Sequence, residues 1–401
     1  GVIGHSGSDG DDFGDIYYHV TDDSDLPFLG GDGAPNIVNA TKLTQAEMQG
    51  LQARENMIGI ADDTRWDFEN NWLASQGAYP IFKWESDEFD IEFDEIILYA
   101  SGSGTETDPY LIDNWEHLYN IRYNVEAYFQ LTDDLDQNST GYTTFVKDGE
   151  TLANDAKGWK PIGDNNARFF GNFDGNTKTI SNLLIDRIGE DKDYQGLFGI
   201  IGSGAEVYDL NLNAVVIKGL SNYVGSLAGA VNGGALVENI QIINPSISGF
   251  HDVGGLTGHN YGKLLNSSVS CDTGCDNEDG PVIYGLNDGV GGLSGGGHGG
   301  EIFECSTNIS VRGNEDVGGL VGFIDGVSVF SSSSQGDVEG FQTEGSPKNI
   351  GGLVGQITSG YQIQNSYATG NVSANGANVG GLLGYAFGGV DIRNSYATGD
   401  V

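Results

Sequence analysis

The residues able to do chemistry in this 401-residue chain are few and scattered. Its six histidines are His5, His19, His117, His251, His259 and His298. None belongs to a His-Glu-x-x-His helix, the spacing that sets two imidazoles and a general base around zinc. Only His259 and His298 are placed to approach each other, and two imidazoles with no third ligand read as solvated corner residues. Carboxylates are the stronger candidates. Asp9, Asp11, Asp12 and Asp15, the run Thr21–Asp25 and the loop Cys271–Asp279 gather the hard oxygens that calcium prefers. Neither N-terminal run has the spacing of an EF-hand loop. Polysaccharide cleavage needs two or three carboxyl groups at close quarters. Asp209 and Glu304 occupy equivalent positions but lie three repeats apart, and Asp174 sits in a Phe-Asp-Gly-Asn turn. No catalytic residue is assigned, and the chain reads as a non-enzyme.

Modification chemistry is easier to place. Cys271 and Cys275 fall in one loop and are expected to close a local disulfide, with Cys305 a buried free thiol on a strand. Asn-x-Ser/Thr sequons occur at Asn39, Asn138, Asn266, Asn308 and Asn371. Glycans are expected at Asn39, Asn138 and Asn371. Asn266 is set aside because it falls in a polar column that a glycan would have to enter from inside a coil.

What positions these residues is a repeat. A Gly-Leu core recurs at Leu197, Leu227, Leu256, Leu293, Leu320, Leu353 and Leu382, 27 to 37 residues apart. The segments between hold short Val/Ile/Leu runs cut by Gly, Asn and Ser, with no helical spacing of apolar residues. Three short strands and their corners fill such a length, which predicts a β-solenoid. The paired glycines predict corners with positive φ or close backbone approach. Ten to twelve residues after each leucine comes a polar column, Asp209, Asn239, Asn266, Glu304, Ser331, Asn365 and Asn394, with Asn182 its equivalent before the first leucine. It reads as a stacked side-chain ladder, or as a turn marker in each coil. Val327-Ser-Val-Phe-Ser-Ser-Ser-Ser334 departs from the Asn-Ser-Tyr pattern, so a ladder is expected to weaken there. Two long inserts, in 266–293 and 331–353, are candidate binding loops.

At these residues the chain resembles the GLUG-motif family of bacterial and archaeal cell-surface proteins. Ile350-Gly-Gly-Leu-Val-Gly355 leads to Ile363-Gln-Asn-Ser-Tyr-Ala-Thr-Gly370, and Val379–Gly384 leads likewise to Ile392–Gly399. Thr107–Ile112, Trp159–Gly163, Phe170–Asn176 and Gly196–Gly199 resemble the start of such domains. The resemblance implies a right-handed parallel β-helix: all-β, with short capping helices and tandem units. Residues 1–86 resemble the C-terminal cap of a preceding unit, 87–104 an acidic linker or strand, 105–160 an N-terminal capping region, and 161–401 about eight repeat coils. Thr44/Glu47 and Asp113/Glu116 make capping boxes for short helices. A start inside one unit and a stop inside the next suggest a segment of a longer tandem protein.

Composition narrows the partners. The chain carries 57 acids against 17 bases, a net charge of −40, which repels nucleic acid and anionic membranes. An acid excess of this size points to a halophilic host, or to a calcium-loaded surface. No stretch has the length and apolarity of a transmembrane helix. The expected role is a secreted or cell-surface structural and adhesive protein, a stalk or filament that self-associates with its own copies and meets cell surfaces or glycans. The alternative is a carbohydrate- or host-binding β-helix of tailspike or polysaccharide-active type.

Overall fold

The computed structural model describes residues 98–401 except 188–192, 220, 273–279, 342–347 and 360–361, and six short strands before residue 98. The chain divides into two units, Gly1–Ile97 and Leu98–Val401. In the first, Asp12–Phe13 pairs in parallel with Asn36–Ile37, and Ile16–Tyr18 with Ala40–Lys42. Trp72–Leu73 pairs antiparallel with Ile81–Phe82. The helix expected after Thr44 and the linker 85–95 lie outside the described residues.

The second unit is a parallel β-solenoid. One coil runs Val253–Gly254, Thr257–Asn260, Lys263–Leu265, Ser268–Ser270 and Val282–Gly285. The next repeats it as Asp288–Gly291, Ser294–His298, Glu301–Phe303, Ser306–Asn308 and Val311–Gly313. Within each sheet the strands of successive coils hydrogen-bond in parallel to their equivalents in the neighbouring coils, so stacking produces long parallel sheets down the sides of the rod. Two of these sheets hold seven strands each. The side carrying the polar column holds eight rungs, from Asn172–Asp174 to Asp391–Arg393, and continues backwards through Tyr128–Leu131 to Tyr110–Ile112.

Alternation of side chains along each strand sends one residue in two to the core. The inward rows stay in register: Val237, Leu264, Ile302, Val329 and Ile363 form one, Val290, Val317 and Ile350 another. The repeat leucines are the axis of this core. Leu197, Leu227, Leu256, Leu293, Leu320 and Leu353 are fully buried, and Leu382 in the last coil is half-buried. Each burial contributes about 2 kcal/mol, and the backbone N–H of Leu293 donates to Leu320 O at 2.8 Å in the same column.

The paired glycines before the leucine work by close approach. A Cβ on Gly292 would lie 2.2 Å from Gly319 O, and one on Gly352 would lie 2.0 Å from Gly381 O. Neither has positive φ, so of the two reasons expected for glycine here, only the second operates.

The solenoid's N-terminal end is closed by aromatics. Trp115 and Trp159 are fully buried with ring centroids 5.7 Å apart, and the Trp159 indole N–H donates to Leu197 O at 3.1 Å, tying the cap to the first repeat leucine. Phe129, Phe169 and Phe198 continue the stack inward. Trp115–Asn120 is helical, but its N-cap is Asn114 and not the expected Asp113. Asn114 has extended backbone and its Oδ1 accepts from His117 N at 2.9 Å. Asp113, one residue too early, instead accepts from Asn114 Nδ2 and pairs with His117 Nδ1 at 2.8 Å.

Candidate functional site

All eight residues of the polar column have positive φ, between 48° and 61°. Asn and Asp tolerate this left-handed conformation better than other non-glycine types, so the column marks a sharp bend between two strands of one side. It differs from the internal stack expected for Asn182, Asp209, Asn239, Asn266, Asn365 and Asn394. These side chains sit at the surface, half-buried at Asn182 and Asp209 and exposed at the others. Asn239 Nδ2 donates to Asp209 Oδ1 at 2.9 Å and Asn394 Nδ2 to Asn365 Oδ1 at 3.1 Å, while Asn266 turns to Glu238. The reason for excluding Asn266 from glycosylation therefore falls away.

The buried ladder lies one residue further on. Ser267, Cys305, Ser332, Ser366 and Ser395 follow the bends. The backbone N–H of Ile240 donates to Ser267 Oγ at 3.1 Å, Cys305 N to Ser332 Oγ at 3.1 Å, Ser332 N to Ser366 Oγ at 3.2 Å and Ser366 N to Ser395 Oγ at 3.2 Å. At these four bends the next N–H is turned out of the strand ladder, and the serine of the following coil receives it. The sixth copy keeps Ser332, so this inner ladder passes through it.

A second left-handed corner precedes each leucine: Tyr194, Tyr223, Asp252, Gly289, Asp316, Asn349 and Asn378. Here the amides do stack. Asn349 Nδ2 donates to Asp316 Oδ1 and Asn378 Nδ2 to Asn349 Oδ1, both at 2.7 Å, and Gln356 Nε2 donates to Asp316 Oδ2 at 3.0 Å. Burial pushes the Asp316 carboxyl up to about 6. This row was not singled out in the sequence, though an Asp/Asn four residues before the leucine in four of the seven copies was its signal.

Cys271 is disulfide-bonded and Cys305 is a buried free thiol; Cys275 lies outside the described residues. Asn138 and Asn371 are exposed, and Asn39 lies outside the described residues. Asp12 begins a short strand, while Asp9, Asp11 and Asp15 are not among the described residues. Among the described residues no group of three or more His, Cys, Asp or Glu could hold a metal ion. Asp174 ends the strand Asn172–Asp174 just before the turn, and its carboxylate accepts from Asn176 N and Gln130 Nε2.

His259 is not a solvated corner residue. It lies on the strand Thr257–Asn260, buried, with Nδ1 2.9 Å from Asp252 Oδ2. His298 stacks on it at 5.1 Å and approaches Asp325 through its own Nδ1 at 3.3 Å. Each imidazole thus has a carboxylate partner. The two line a surface groove of about 520 Å³ with Tyr194, Tyr223, Tyr261 and Arg168. Sequence reasoning missed this groove, because its three tyrosines come from three different coils.

An all-β parallel solenoid with a Gly-Leu core stacked through seven coils is the architecture of a repeat protein. The GLUG motif matches residues 375–401 of this chain. A protein provisionally named a Gly-rich membrane protein, from Evansella cellulosilytica, is 35% identical over 197 residues, 41% of this chain and 21% of its own length. Halomucin of Haloquadratum walsbyi is 29% identical over 239 residues, 57% of this chain and 2% of that protein. The chain thus spans only a minor part of the curated relatives it matches. A crystal structure provisionally described as an immunoglobulin A1 protease, from Bacteroides ovatus, superposes with a TM-score of 0.51, covering 73% of this chain and 87% of that one. At 17% identity it shares the fold alone.

Proposed function

We propose that this chain is a non-catalytic structural and adhesive section of a protein displayed outside the cell, in which tandem β-helical units form a stalk or filament. The observation carrying this reading is the unbroken axial hydrogen bonding from Tyr110–Ile112 through every coil to the last. At roughly 4.8 Å per coil it builds a rod section about 40 Å long, stiff along its axis and extensible by repetition. The names of the relatives, a halomucin and a Gly-rich membrane protein, support a surface or extracellular location. Among the described residues no helix is long and apolar enough to cross a membrane. The net charge of −40 suits high salt. Self-association with further copies, glycans on Asn39, Asn138 and Asn371, and calcium at Asp9, Asp11, Asp12 and Asp15 belong to the same proposal.

The test is electron microscopy of the native full-length protein in molar salt, with and without a chelator. Filaments with a regular unit repeat are expected, and their loss on chelation alone would assign the acidic cluster to calcium. Discrete trimers or single globular particles would overturn the reading in favour of a tailspike-like or polysaccharide-active β-helix.

A further inference from the structure

We propose that the groove beside His259 binds an uncharged saccharide chain. The inference deepens the adhesive part of the proposed function and rests on it for its biological meaning.

The groove lies over the strands Phe198–Ile201, Ala228–Val231 and Thr257–Asn260, whose residues Ile200, Ala230 and His259 are in register on successive coils. Ala230 is the small member of that row, so the surface dips between larger neighbours. Tyr194 and Tyr223, from the corner before these strands, stack at 4.8 Å with planes 9° apart. Tyr261, from the corner after them, is 42% exposed, packs against His259 at 4.6 Å and stacks with His298 at 5.9 Å. Aromatic rings thus come from both corners flanking the groove. Its volume of about 520 Å³ falls in the range of small-ligand sites.

The chemistry of the lining selects the ligand. A pyranose ring offers a face of polarised C–H bonds, which suits the negative face of a tyrosine ring, and a rim of hydroxyls. Asn165, Asn232 and Ser203 supply donors and acceptors for such hydroxyls. A second observation points the same way. His259 is buried with Nδ1 taken by Asp252, and its Nε2 has no hydrogen-bond partner among the described residues. An unmatched buried nitrogen is costly, and a ligand hydroxyl would satisfy it. Charge removes the polyanionic alternatives: Arg168 is the one Lys or Arg among the described lining residues, Asp252 and Asp325 sit behind the two histidines, and the chain carries −40. A uronate polymer would be repelled.

The 401-residue chain should be titrated in molar potassium chloride with cellohexaose, maltohexaose, mannohexaose and, as the charged comparison, hexagalacturonate, using calorimetry and saturation-transfer NMR. At least one neutral hexamer is expected to bind with Kd below about 1 mM. Tyr223→Ala and Tyr261→Ala should each weaken it at least tenfold, while Phe387→Ala, an exposed aromatic in the last coil, leaves it unchanged. An unaltered melting profile of Tyr261→Ala secures the comparison. Absence of binding by every neutral hexamer, equal binding by Tyr261→Ala, or binding of hexagalacturonate alone would each overturn the proposal. Filaments in the electron microscope would survive any of these results, so the two readings fail separately.

Discussion

Ser332 gives its backbone N–H to the hydroxyl of Ser366 on the next coil at 3.2 Å, and that hydroxyl in turn donates a hydrogen bond to Gln364 O at 2.8 Å. The same relay joins Cys305 to Ser332 and Ser366 to Ser395. It converts a donor orphaned by the bend into a bond between coils.

Replacing Ser366 with Ala leaves the Ser332 N–H buried and unmatched, which costs about 1–3 kcal/mol. Urea denaturation should show this loss with an unchanged m-value. A loss below about 0.5 kcal/mol would mean that the relay is incidental to stability.

Gly352→Ala should be worse. The added methyl meets Gly381 O at 2.0 Å and Ala368 Cβ at 3.0 Å, and backbone cannot swing aside as a side chain can. A destabilisation of at least about 2 kcal/mol is expected. Gly389→Ala, with nothing within 4 Å of the new Cβ, is the control and should be close to neutral. Similar melting temperatures for the two variants would contradict the account of the paired glycines.

The corner carboxyl of Asp316 ties stability to pH. Burial raises it to about 6, against about 3.9 in the unfolded chain. Between those values the folded state keeps a proton that the unfolded state has lost. The associated stability is therefore complete below about pH 4 and disappears as pH rises through about 6. Asp316→Asn removes the titration while keeping an amide-compatible shape. Its stability relative to the parent should improve by roughly 1–3 kcal/mol between pH 4 and pH 7. A difference constant across that range would show that Asp316 is ionised throughout.

Cys305 holds a serine position of the relay with its thiol pushed up to about 12 by burial. Thiolate is the reactive form, so iodoacetamide at pH 8 should leave the native protein's Cys305 unmodified and alkylate it once urea unfolds the chain. Cys305→Ser should fold, since serine is the usual occupant of that row. Mass spectrometry showing rapid native alkylation would place the thiol at the surface.

The leucines, the strand pattern and the close approach at the paired glycines were legible because they depend on residue type and period alone. The bends were legible too, but their role was read one residue out of place. Asn is the more frequent and more polar neighbour, whereas the buried partner is the small Ser or Cys beside it. The cap helix failed by the same single step, from Asp113 to Asn114. The groove was hidden for a different reason. Tyr194, Tyr223 and Tyr261 are 29 and 38 residues apart, and only the coil register, set by corner lengths that vary between repeats, brings them together.

The parallel sheets set the direction of every bond between coils, and with it the response of the rod to tension. A pull along the axis loads those bonds one coil at a time, because each turn touches only the turns on either side of it. Releasing a single coil gives up about 4.8 Å of rod and frees a segment of some thirty residues, on the order of 100 Å when drawn straight. The molecule is thus short and stiff at low load, and holds in reserve a length roughly twenty times that of each turn it yields.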